Sequence, residues 1–238
     1  EDYAKIVDME EISEQSYDAM EAYMMARDLA NDKQSEASDE LKVAQRKFAE
    51  ANDVKLLENS SDLNNKMKIA GEVFGHYNEI YLIFFKSNKQ EIYLMDAIEA
   101  KDISGIEQNK EALKATTEEG LAKLQDVVAY ANDKSMIAAT EALFKFYEQE
   151  AEDTEIILDY LLKSENFQKI KEAFDQKKEK NRTQEDVDQF NNGVNEMNAA
   201  VEAYNKMNER NNKKRSELID GWNKAAEKFT NKHVPKGK

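Results

Sequence analysis

The stretch that decides the fold is Thr183–Phe229, TQEDVDQFNNGVNEMNAAVEAYNKMNERNNKKRSELIDGWNKAAEKF. Val187, Phe190, Val194, Met197, Val201, Tyr204, Asn208, Asn211, Arg215, Leu218, Trp222, Ala225 and Phe229 recur at steps of three and four. That spacing repeats a stripe along one side of an α-helix. At 1.5 Å per residue the stripe extends for roughly 65 Å, and a stripe of that length needs other helices to cover it. Thr183 with Asp186 three residues on reads as a capping box at its start.

A second rhythm of the same kind lies upstream. Leu63, Met67, Ala70, Phe74, Tyr77, Tyr81, Phe84, Asn88, Glu91, Met95 and Ile98 alternate in steps of four and three. Between and around these rods, weaker stripes predict further helices. One covers about 3–29, with Ile6, Met9, Met20 and Met24; another covers about 39–57, with Leu41, Ala44, Phe48, Ala51 and Val54. A helix opening on Ser104 and Glu107 as a capping box runs to about 128. One with Met136, Leu143, Phe146, Ile157 and Leu161 follows, then a bend at 163–166 and a short segment with Phe167, Ile170 and Phe174. Glu58–Asp62 reads as a break in which a Ser caps the next helix. The tail 232–238 reads as frayed, because Pro235 stops a helix.

Composition agrees with helices and little else. The 238 residues include 7 Gly and 1 Pro, about 3% against roughly 12% in average chains. Hairpins and tight loops need that punctuation. The expected fold is all-α: one elongated antiparallel helical bundle over 1–238, with coiled-coil-like long helices.

The same counts exclude several chemistries. Zero Cys removes thiolate nucleophiles, iron–sulfur clusters and Cys-based zinc sites. His76 and His233 are the only histidines, and neither has the Glu three residues ahead that a di-iron bundle uses. There is no His-Glu-x-x-His and no phosphate-binding glycine loop. The expectation is no metal, no cofactor and no catalytic residue. The net charge of −15 opposes binding to nucleic acid. The longest strongly apolar run, Ile80–Phe85, is far shorter than the ~20 residues a membrane span needs.

What remains is a set of polar residues on the long stripes. Asn208, Asn211 and Arg215 interrupt one, Asn88 and Glu91 interrupt the other, and Glu150 and Asp153 interrupt the 136–161 helix. If they meet, Arg215 faces a carboxylate from Glu91, Glu150 or Asp153, because an unpaired buried charge is prohibitively costly. Such a layer fixes helix register, or holds a small polar ligand, or is wet between splayed helices. The aromatic residues Phe74, Tyr77, Tyr81, Phe84, Phe85, Phe144, Phe146 and Tyr147 read as core, with an apolar pocket as the alternative. Gly71 and Gly75 read as a small patch where a neighbouring helix approaches closely, and His233 as solvated in the tail. Charge is uneven: residues 1–40 carry 13 acidic and 3 basic groups, and residues 206–238 carry 10 basic and 4 acidic.

Residues 178–236 add a resemblance. Asn181-Arg182-Thr183-Gln184, the Asn-rich run Asn205–Asn212, Trp222 and the ending Lys232–Lys236 resemble uncharacterised helical surface lipoproteins of Gram-negative bacteria. That resemblance implies export to the periplasm or cell surface and a lipid anchor on a Cys upstream of Glu1. It implies a protein or envelope component as partner and no activity. The expected function is a non-enzymatic envelope binding or structural module, with a small-ligand-binding bundle as the alternative.

Overall fold

A computed structural model describes residues 2–56 and 62–236; side chains are described from residue 6 onward. The protein is an all-α helical bundle. Its helices are α1 (Asp2–Ser13), α2 (Tyr17–Ala51), α3 (Asp62–Glu99), α4 (Ile103–Asp126), α5 (Ser135–Gln176) and α6 (Gln184–His233). Two 3-10 turns, Tyr130–Asn132 and Glu179–Asn181, precede α5 and α6, and the described residues contain no strand.

Both long rods are unbroken, yet their inward faces differ from the seams read in the sequence. In α6 the covered positions run Gly193, Met197, Ala200, Tyr204, Met207, Asn211, Arg215, Leu218 and Trp222. That is eight steps over 29 residues, about 3.6 per turn, the period of a straight helix rather than the 3.5 of a coiled coil. Met207 is therefore buried where Asn208 was expected, and Asn208 is exposed. The same offset appears in α3, where Val73, Ile80 and Leu94 are fully buried beside the expected Phe74, Tyr81 and Met95.

Helix boundaries correct the sequence reading at three places. The expected 3–29 helix ends at Ser13, and Ser16 caps a new one by accepting the Ala19 N–H at 3.2 Å. The expected gap near 30–38 is helical, since it contains no Gly or Pro to stop it. The expected bend at 163–166 is also helical, so the short segment with Phe167 and Phe174 is the end of α5. Capping boxes divide: Thr183 and Asp186 exchange reciprocal bonds at 2.9 and 3.2 Å. Ser104 does not cap, because α4 starts earlier, with Asp102 at the cap position. There α3 closes with Lys101 left-handed (φ 54°) and the Asp102 N–H on the Ala97 carbonyl at 3.0 Å, a terminus usually given to Gly. The expected break at Glu58–Ser61 lies outside the described residues.

Where the sequence reads as one domain, the described residues gather into two compact units. One holds residues 1–89, 128–134 and 226–238; the other holds 90–127 and 135–225. In the second unit α4 packs on α5, with Lys110 on Glu155 at 2.6 Å and Gly120 under Phe144. A Cβ at Gly120 would come within 2.4 Å of the fully buried Phe144 ring. Gly120→Ala should therefore cost about 1–3 kcal/mol in urea unfolding, and a loss under about 0.5 kcal/mol would mean the ring yields. By contrast, a Cβ at Gly71 or Gly75 would meet no atom of the described residues within 4 Å, so the expected close helix contact is absent among them. α6 lies along α5: Trp222 donates to Thr140 Oγ1 at 2.9 Å, Tyr160 stacks on Tyr204 and Phe174 on Phe190. These contacts pair rising numbers on one helix with falling numbers on the other, so the two run in opposite directions.

In the first unit Met20, Met24 and Phe85 form a core with Tyr17, Tyr23, Tyr81 and Leu82 against it. His76 and Phe229 lie 5.3 Å apart at their ring centres, and Tyr130 stands edge-on to both Phe229 and His233. His233 is not solvated: its ring is 10% exposed and its Nε2 lies 3.0 Å from Asp133 Oδ2, which also takes Lys232 at 2.7 Å. Helix α6 is thereby fastened through the first part of the expected frayed tail. Burial holds the His76 imidazole below its usual range, with Glu79 and Asp133 opposing that shift more weakly.

Candidate functional site

The second unit carries the polar layer. Glu91 on α3, Glu150 and Asp153 on α5 and Asn211 on α6 are all buried to 6% exposure or less. Arg215 bridges two of them. Its Nε lies 2.6 Å from Glu91 Oε1 and its Nη2 pairs with Glu150 Oε1. The Glu91 contact is an ion pair with poor hydrogen-bond geometry, since neither of its two atoms completes a hydrogen bond. Glu150 Oε2 has no hydrogen-bond partner among the described residues. The guanidinium also reaches Met95 Sδ at 3.3 Å and lies 5.8 Å from the centre of the Phe146 ring.

One turn away is a second cluster. Asp153 Oδ2 accepts from Arg210 Nη2 and from Asn211 Nδ2, the latter at 2.9 Å, while Gln149 donates to Oδ1 at 3.2 Å. Arg210 was not among the sequence candidates because it lies off the apolar stripe. Its long side chain reaches inward from the surface, as arginines at the edge of a core do. Asn208 Oδ1 accepts from Asn212 on its own helix at 3.1 Å, and Asn88 belongs to the other unit. The layer brings together Glu91, Glu150, Asp153, Asn211 and Arg215 of the seven candidates.

Charge within this layer does not balance. Two carboxylates share one guanidinium at Arg215. Burial pushes Glu150 up from 4.5 to about 7, against the pull of Arg215 and with a push from Glu91 and Asp153. Glu91 is raised for the same first reason, and Arg215 opposes it. A carboxylic acid near neutrality in a low-dielectric site can hold a proton, yet the neighbours provide no nucleophile. Beside the layer, a groove of about 470 Å³ is lined by Ala142, Lys145, Phe146, Gln149, Arg210, Asn211, Lys213, Lys214 and Glu217. Its exposed surface is mainly apolar, and its ionisable residues are four basic and one acidic. The described residues contain no cluster of three His, Asp or Glu able to hold a metal, and no helix among them is long and apolar enough to cross a membrane.

The other conspicuous feature is exposed apolar surface in the first unit. Met25, Leu29, Leu41, Phe48, Leu63 and Met67 are each more than half exposed. The expected aromatic group is divided, with Phe74 through Phe85 in the first unit and Phe144 through Tyr147 in the second. Compared with protein-family models, curated proteins and solved structures, the chain matches none.

Proposed function

We propose that this protein is a non-enzymatic binding or structural module of the bacterial cell envelope, acting through the apolar faces of α2 and α3 in the first unit. The observation that carries this reading is the row of large side chains left in water there. Leu41 is 58% exposed, Phe48 65%, Leu63 64% and Met67 62%. Most of the exposed large apolar side chains fall within residues 7–74, and exposed apolar surface that is concentrated rather than scattered marks interaction sites. The polar layer supports the same reading as an element that fixes helix register. Its carboxylates are buried, Arg215 ties Glu91 of α3 to Glu150 of α5, and Arg210 and Asn211 of α6 hold Asp153. The envelope placement and the upstream lipid anchor rest on the resemblance of residues 178–236 to surface lipoproteins.

The test is co-sedimentation of the purified chain with envelopes from Gram-negative cells. Replacing Leu41, Phe48, Leu63 and Met67 by Ser should abolish retention and leave the helical circular dichroism unchanged. Equal retention of both forms overturns the reading. A second reading, a small-ligand site, is supported by the groove at Phe146, whose mainly apolar lining and four basic residues against one Glu suit an anionic amphiphile. Saturable 1-anilinonaphthalene-8-sulfonate fluorescence that Lys213→Glu with Lys214→Glu removes would favour it. Fluorescence unaffected by that pair of changes would exclude it.

A further inference from the structure

The stripe on α2 is covered for half of its length and bare for the rest. Met20 and Met24 are buried against Phe85, and Ala30 is buried as well. The stripe then continues in heptad steps through Gln34, Ala37, Leu41, Ala44, Phe48 and Ala51, all exposed. Every residue from 31 to 48 is exposed. A solvent-facing helix is normally polar around its circumference; this one keeps a regular apolar seam from Ala37 to Ala51, about four turns.

We infer that this half of α2 pairs, antiparallel, with the same segment of a second copy of the chain. Two features of the segment select that occupant. The first is charge. Within the seam, residues 34–42 carry Glu36, Asp39 and Glu40 against Lys42, a balance of −2. Residues 43–51 carry Arg46 and Lys47 against Glu50, a balance of +1. An antiparallel copy lays the acidic half of each helix on the basic half of the other, and a parallel copy lays like on like.

The second feature is side-chain size. One antiparallel register sets Leu41 against Ala44 of the second copy and Phe48 against Ala37, with Gln34 and Ala51 closing the ends. Large faces small at each inner layer, and two-fold symmetry repeats each pair. In that register the flanking Glu40 meets Lys47 of the second copy, twice per dimer. Such flanking charges choose partner and orientation. The pairing shares Leu41 and Phe48 with the envelope reading above and leaves the α3 residues Leu63, Met67 and Phe74 unused; self-association in solution and retention on envelopes are separate readouts, so each can fail alone.

The test is sedimentation equilibrium of the full chain between roughly 1 and 300 µM, the range in which a short interface dissociates. The mass should rise with concentration from 27.4 kDa toward twice that value. Leu41→Ser with Phe48→Ser should hold it at the monomer value with unchanged helicity. Lys47→Glu alone should raise the dissociation constant by about tenfold. Adding Glu40→Lys should restore it, since the swapped pair attracts again. A wild-type chain that stays monomeric throughout overturns the inference and assigns the bare face to another part of the chain or to a different molecule. A dimer that survives loss of Leu41 and Phe48, or a charge swap that fails to rescue, also overturns it.

Discussion

Replacing Arg215 by Met should destabilise the protein by about 3–5 kcal/mol at pH 8. Arg215 is the only cation that pairs with Glu91 or Glu150 among the contacts of that cluster, and those side chains are 6% and 3% exposed. Methionine fills comparable space but leaves two carboxylates in the core with nothing opposite them. A buried ion pair is weak evidence for stability as a whole, yet removing one member is costly because its partner is stranded. The triple variant with Glu91→Gln and Glu150→Gln added should recover most of the loss. Urea unfolding followed by circular dichroism measures both. A loss under about 1 kcal/mol for the single change would mean that water reaches the layer.

The second large effect is on pH dependence. Glu150 is held near 7 in the folded chain and returns toward 4.5 when unfolded. Between those values the folded chain keeps a proton that the unfolded chain has released. Stability from this group is therefore highest in acid and falls as pH rises through about 7, after which the burial penalty is complete. The penalty is on the order of 3 kcal/mol. Glu150→Gln should leave stability near pH 5 almost unchanged and raise it at pH 8 by an amount of that order. Glu91, raised for the same cause, acts in the same direction. A wild-type unfolding midpoint that is flat or rising from pH 5.5 to pH 8, or a Gln variant no more stable at pH 8, would show the carboxylate to be solvated.

Much of this was legible in residue spacing. The two rods, the absence of strand among the described residues and the meeting of Arg215 with carboxylates all follow from period and charge. The inner face was legible only approximately. A chain read at 3.5 residues per turn drifts by one position over a long straight helix, so Asn208 was expected where Met207 lies. Arg210 went unread because reach, not register, brings it to Asp153. The division at Glu14–Ser16 went unread because the three- and four-residue spacing continues across it through Ser13 and Ser16, and only the Ser16 cap marks it. His233 was assigned to the tail from its closeness to Pro235, whereas Asp133, a hundred positions away, holds it. Spacing also identified Leu41, Ala44 and Phe48 as a stripe, but could not say that the stripe is bare.

Neither compact unit is contiguous along the chain. The unit that contains the first 89 residues also contains Phe229 and His233, which sit against His76 and Tyr130. On the ribosome, the residues around His76 must wait for those up to His233 to emerge before that corner can close. Premature termination a few codons short of Phe229 would strike the packing around His76 as hard as that near the stop.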